Sequence, residues 1–171
     1  MKVVDSSANA PRADNRPLLI VASCVALATL VPVALYQLKL ISELPDPPLN
    51  VFDSERITMS RTAHPMGVPD GLLGFASFGT TLTLALLANR NRTAKRLLGA
   101  KLGMDVSVAA INAVRQVAEF GKLCSWCTGT ALSAGVMAYA GRQSIREAVD
   151  EGVSLVENFR SKSLHSSGIP D

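Results

Sequence analysis

Charge is scarce in this 171-residue chain: Asp, Glu, Lys and Arg make up 18% of it, and they avoid whole stretches. None occurs in the 21 residues from Leu18 to Leu38, in the 19 from Gly71 to Asn89, or in the 19 from Leu123 to Gly141. A hydrocarbon core of ~30 Å needs about 20 helical residues, so each run has the length of a membrane span. That scarcity excludes an ordinary soluble enzyme and a disordered chain. A net charge of +3 is too small for a nucleic-acid surface and reads as membrane topology. Internal repeats are lacking, and the one low-complexity tract is Pro45-Asp46-Pro47-Pro48.

A fourth span, Leu97 to Ala118, is apolar except for Lys101, Asp105, Asn112 and Arg115. Lys101 and Asp105 lie four apart, so they can pair on a helix, with Asn112 on roughly the same face. Such a stripe is costly against lipid and is expected to point inward. Pro32 in the first span is tolerable where neighbours satisfy the freed backbone groups. The first run is too long, and too free of a small-residue cleavage pattern, for a removed signal peptide.

Orientation follows from the 17 Lys and Arg residues. Eleven lie on the side of the N-terminal tail, the second connection and the C-terminal tail, and five on the other, with Lys101 inside a span. The second connection alone carries Arg90, Arg92, Lys95 and Arg96 and no acid. Both termini are therefore expected in the cytoplasm, with the first and third loops outside. Residues 1–16 read as a disordered cytoplasmic tail, and 17–141 as a four-span membrane domain. Residues 142–171 read as a cytoplasmic helix and tail, with Ile145, Val149, Val156 and Phe159 near helical spacing and the helix solvated beyond span four.

Cysteine is nearly as scarce as histidine: Cys24, Cys124 and Cys127 against His64 and His165. Cys124-Ser125-Trp126-Cys127 opens the last span just after Lys122. A helix N-terminus and a nearby lysine both favour a thiolate. Spacing of three puts the two sulfurs on one face, where a readily reduced disulfide can form. The expected topology places the pair at the outer boundary, in an oxidising compartment, with Trp126 as an interfacial anchor. Zinc would need about four ligands, and His165 is expected across the membrane from the pair. A c-type haem would need histidine at Thr128. Two inert small residues in a membrane helix are the remaining reading. Cys24 lies on the order of 20 Å away along the membrane normal, beyond disulfide reach, and reads as a small hydrophobe.

The first outer loop is long for a connection and carries its own helix signals. Asp53 or Ser54 can cap a short amphipathic helix with Glu55 in its first turn, carrying Ile57 and Met59 over the membrane surface. Gly67-Val68-Pro69-Asp70 then ends it and starts span two. Such a loop is either a binding element or lid, or a plain surface connector.

Taken together, these features resemble the vitamin K epoxide reductase family. The resemblance runs from about residue 16 to 141. It rests on the four spans, the long loop with Ser60 ahead of Gly67-Val68-Pro69 and Leu72-Leu73-Gly74, and the Cys124-Ser-Trp-Cys127 opening of the last span. It implies an all-α, four-helix membrane bundle enclosing a quinone, ubiquinone or menaquinone, beside the cysteine pair. It also implies electron transfer from the dithiol to quinone, in support of disulfide formation in exported proteins. Cys127 would face the quinone, and Cys124 would exchange with an electron donor of periplasmic, thioredoxin-like type. Ser60, Asp70 and Trp126 would contribute to the quinone site. The chain departs from the family pattern in three places: Ser54 stands where the second loop cysteine would fall, Asp70 where an asparagine often contacts quinone, and Ala131 where a tyrosine can. Without loop cysteines the internal relay is absent, leaving direct exchange between an external dithiol and Cys124. A family member that has lost catalysis and serves as a scaffold or partner subunit is the alternative. A small-solute channel built on Lys101, Asp105 and Asn112 is the third reading.

Overall fold

The computed structural model describes residues 14–166, and among them every regular element is helical. The order is α1 (Arg16–Gln37), α2 (Ser54–Thr58), α3 (Asp70–Leu87), α4 (Arg92–Phe120), α5 (Ser125–Ala140) and α6 (Arg142–Ser166). Two single-turn 3-10 helices, Arg61–Ala63 and Pro65–Gly67, separate α2 from α3. The apolar runs of the sequence set this pattern, because a chain with few charged residues satisfies its backbone in lipid through intrahelical hydrogen bonds.

Three helices, α1, α3 and α4, are long and apolar enough to cross a membrane. The fourth apolar run gives a shorter helix. Cys124 caps α5 and Gly141 ends it, so 16 residues, or about 24 Å, remain helical. The weakest span of the sequence becomes the longest helix. α4 has 29 residues, capped at one end by Asn91 and ended by Gly121 at φ 64°, a conformation that glycine adopts at no steric cost.

α1 packs between α3 and α5, and α4 packs against α3, α5 and α6. The shared core is Leu19, Ala22, Ala26 and Leu30 of α1, Phe78 and Ala85 of α3, Leu98 and Leu102 of α4, and Ala134, Met137 and Ala140 of α5. Alanine is abundant there, and small residues let helix backbones approach closely where lipid offers no hydrophobic drive between helices. Large apolar side chains such as Val25, Phe75, Ile111 and Leu132 face outward instead. An apolar exterior of that extent suits lipid contact.

Two expectations need correction. Residues 1–13 of the predicted disordered tail lie outside the described residues, but residues 14–16 are tied down. Asn15 caps α1 and donates its N–H to the Ala140 carbonyl at 3.0 Å. Arg16 donates to the Ala85 and Leu86 carbonyls at the end of α3. Asp14 accepts from the Ser144 hydroxyl. The C-terminal helix, in turn, is not simply a solvated continuation of α5. After Gly141 its first turns pack on the start of α4, where Ser144 is fully buried and covers Gly99. Lys95–Glu147 at 2.8 Å and Arg96–Glu151 at 3.1 Å flank that contact. Beyond it, Val149, Val153, Val156 and Phe159 are exposed.

The expected polar stripe does point inward. Lys101 donates to Asp105, whose carboxylate also accepts from Ser77 at 3.0 Å and Thr81 at 2.6 Å on α3. Both oxygens of this buried carboxylate are thereby hydrogen-bonded and its charge is paired, as a buried charge requires.

Candidate functional site

Cys124 has an extended backbone at the start of α5, and its sulfur accepts the Cys127 N–H at 3.1 Å. It thus takes the role that Ser or Asp usually fills at a helix start, and the two cysteines, both free thiols, lie on one side of the first turn. The Cys124 N–H is taken by the Gln116 side chain of α4 at 2.9 Å. Gln116, two turns before the cysteines on the same helix as the polar stripe, was the available signal for that contact.

The loop between α1 and α3 closes over this turn. Asp53 caps α2 and buries Ile57, while Met59 stays exposed. Phe52 and Leu123 form an isolated bridge, with Asp53 N–H to Leu123 O at 2.9 Å and Leu123 N–H to Val51 O at 2.8 Å. Ser54 accepts the Ser125 N–H at 2.9 Å. The Asp46 carboxylate accepts from Ser54 N–H at 2.7 Å, Ser54 Oγ at 2.5 Å and Ser125 Oγ at 2.5 Å. Partial burial pushes Asp46 upward, but the Ser125 and Ser54 hydrogen bonds outweigh it and hold the carboxyl below the usual range. Trp126 turns outward and donates Nε1–H to the Pro45 carbonyl at 3.0 Å. Under this cover Cys124 has no exposed surface.

Cys127, next to Cys124, lines a cavity of about 580 Å³ between α1, α3, α4 and α5. Its walls include Leu30, Phe78, Met104 and Val108, and its polar groups include Asp70, Asn112, Arg115 and Gln116. The Lys101-paired Asp105 and Ser77 line it as well. Apolar walls with a few convergent polar groups are the usual make-up of a small-molecule site, and the volume lies in the usual range of ~300–1,000 Å³. Asp70 begins α3, and one of its oxygens accepts from Gln37 Nε2 at 2.7 Å.

The sequence candidates thus separate in space. Cys127 and Asp70 share the cavity, and Cys124 lies beneath the loop. Ser60 lines a small adjoining niche with Asp70, Asn112 and Gln116, while its hydroxyl donates to Ile57 O at 2.6 Å. From the same loop, Thr62 and Pro65 reach the main cavity. Trp126 is not among the cavity-lining residues. Cys24 sits exposed on α1, apart from the pair. Among the described residues, no group of three or more His, Cys, Asp or Glu could hold a metal ion.

Residues 17–140 match the Vitamin K epoxide reductase family. The chain belongs to that family. No curated protein matches the sequence significantly. Membership in the vitamin K epoxide reductase family points to oxidoreductase chemistry at thiols and disulfides in a membrane. In that light the pairing of Ser54 with the Ser125 N–H gains meaning, because Ser54 occupies the loop position at which the family resemblance implies a cysteine. The backbone brings that position to the start of α5, and the side chain there supplies a hydrogen bond instead of a sulfur.

Proposed function

We propose that this protein is an integral membrane thiol–disulfide oxidoreductase that passes electrons from the Cys124–Cys127 dithiol to a quinone. The observation carrying this reading is the different access to two neighbouring thiols: Cys127 lines an apolar cavity with a polar end, and Cys124 beside it is buried under the loop. α1, α3, α4 and α5 form the four-helix membrane bundle, with the termini cytoplasmic and the cysteine pair at the outer face of the inner membrane, as the distribution of Lys and Arg supports.

The quinone is ubiquinone or menaquinone, held with its ring toward Cys127, Asp70 and the neighbouring polar side chains. In the oxidised state, when the loop lifts from Cys124, an external dithiol of periplasmic, thioredoxin-like type attacks that sulfur, releasing Cys127 as a thiol through a mixed disulfide. A second attack within that partner frees Cys124 and leaves the partner oxidised. The reduced pair then gives two electrons to quinone as the Cys124–Cys127 bond re-forms. Ser60 supports the cavity rim through its hydrogen bond to Ile57 O, and Trp126 anchors the loop. The products support disulfide formation in exported proteins.

The alternative, a non-catalytic scaffold, is favoured by one observation: Ser54 is locked between Asp46 and Ser125, where a relay cysteine would stand. Thiol trapping on membranes separates the two. The enzyme reading requires the pair to be oxidised when quinone is added and reduced after a dithiol is added, with Cys127→Ser abolishing both changes. Unchanged redox state under both treatments would establish the scaffold.

A further inference from the structure

Asp70 is placed to do more than contact a ligand. Its surroundings dictate where a proton on it can reside. The Gln37 side chain has a fixed orientation, because its Oε1 accepts the Gly71 N–H at 3.0 Å. Its Nε2 therefore donates, to Thr58 O at 3.0 Å and to Asp70 Oδ1 at 2.7 Å. With Oδ1 committed as an acceptor, an acid proton on Asp70 belongs on Oδ2. The carboxyl opens onto the same cavity as Cys127.

A quinone oxygen is an acceptor only. An ionised Asp70 would repel it, whereas the acid form donates a hydrogen bond to it. Asparagine at this position would also donate, but its proton cannot be given up. We propose that Asp70, in its acid form, is the catalytic acid that protonates the quinone oxygen nearest Cys127 as the thiol pair is oxidised. This rests on the quinone reductase reading above.

The step balances. Two electrons leave the sulfurs as the Cys124–Cys127 bond forms and both S–H bonds are lost. The quinone gains those electrons and two O–H bonds. Asp70 gives its proton to the near oxygen and recovers one from the thiol pair, returning to its starting state. The second thiol proton leaves to solvent, and the far oxygen takes one from solvent. Charged and titratable groups sharing the cavity and its niche with Asp70 or acting on it are His64 from the loop, Arg115, Glu119 and the Lys101-paired Asp105 from α4, and Cys127 from α5.

The test uses the full chain in detergent with a short-chain benzoquinone and dithiothreitol. General acid catalysis contributes on the order of 10²–10⁴-fold, so Asp70→Asn is expected to lower kcat at least about 100-fold. KM should stay within about 3-fold, since the amide keeps a donor where the acid proton was. Wild-type kcat should decline as rising pH removes the Asp70 proton, and the asparagine variant should lack that decline. Asp70→Glu should retain more than about one tenth of kcat, the carboxyl being preserved. Quinone binding is read separately from quenching of Trp126, the chain's single tryptophan. A kcat loss below about tenfold, persistence of the pH decline in Asp70→Asn, or loss of quinone binding in that variant would each overturn the proposal. If wild type reduces quinone and Cys127→Ser does not, such a result leaves the quinone reductase reading standing. If folded wild type reduces no quinone, both fall.

Discussion

Replacing Asp46 by alanine removes the carboxylate that joins the loop to the start of α5. Three donors lose their acceptor at once: the Ser54 N–H, the Ser54 hydroxyl and the Ser125 hydroxyl. Hydrogen bonds to a charged group contribute about 1.5–3 kcal/mol each when well sheltered. Asp46 is partly exposed, water competes for these groups, and the three bonds act as one unit. A net loss of about 1.5 kcal/mol is the reasonable figure, a tenfold rise in the population with the loop lifted. Cys124 is fully covered when the loop is down, so its alkylation should follow that population and speed up about tenfold. The assay is maleimide labelling of Cys124 in a Cys24→Ser, Cys127→Ser background, which leaves one reactive thiol. Labelling of the parent as fast as the denatured chain, or less than a twofold change on Asp46→Ala, would refute the loop as the cover of Cys124. The pH dependence has a definite sign. Because the Asp46 carboxyl is held below its ordinary value, its contribution is complete above about pH 4 and is lost as pH falls through the lower folded value. Asp46→Ala should therefore label faster than the parent at neutral pH, and the two should converge in strong acid.

Other perturbations probe the frame. Lys101→Met leaves the buried Asp105 carboxylate without its cation and should cost about 3–5 kcal/mol, seen as a lowered Tm in detergent. Adding Asp105→Leu should recover most of that loss, because an apolar pair replaces a stranded charge. Gly99→Ala would put a methyl carbon 2.0 Å from the Ser144 carbonyl oxygen, which belongs to backbone and cannot swing aside. Separation of α6 from α4, at about 1–3 kcal/mol, should show as faster proteolysis within 142–166. By contrast, Lys95→Ala breaks a solvent-exposed ion pair and should change stability by less than about 1 kcal/mol.

Much of the frame was legible in the chain because lipid imposes a simple code. Runs without charge predict helices, and α1 and α3 follow their runs to within a few residues. The inward stripe of α4 was readable for the same reason: Lys101 and Asp105 are four apart and cannot face hydrocarbon unpaired. Asp53 and Glu55 marked α2 through ordinary capping chemistry. The extra length of α4 and the docking of α6 escaped that code. The docking of α6 depends on Gly99 admitting the Ser144 backbone, a steric fit between residues 45 apart, while the ends of α4 are set by Asn91 and Gly121.

Local sequence also singled out the cysteine pair, since spacing of three at a helix start brings two sulfurs to one face whatever surrounds them. Which sulfur meets a ligand and which is hidden depends on what packs around that turn. Gln116 comes from α4, Ser54 and Asp46 from the distant loop, and Asp70 is held by Gln37 from the end of α1. These contacts join segments separated by tens of residues, and no local periodicity records them. The scarcity of charge and cysteine therefore marked a membrane protein with one closely spaced cysteine pair. Long-range packing alone turned Cys127 toward a cavity with Asp70 and enclosed Cys124 beneath the loop.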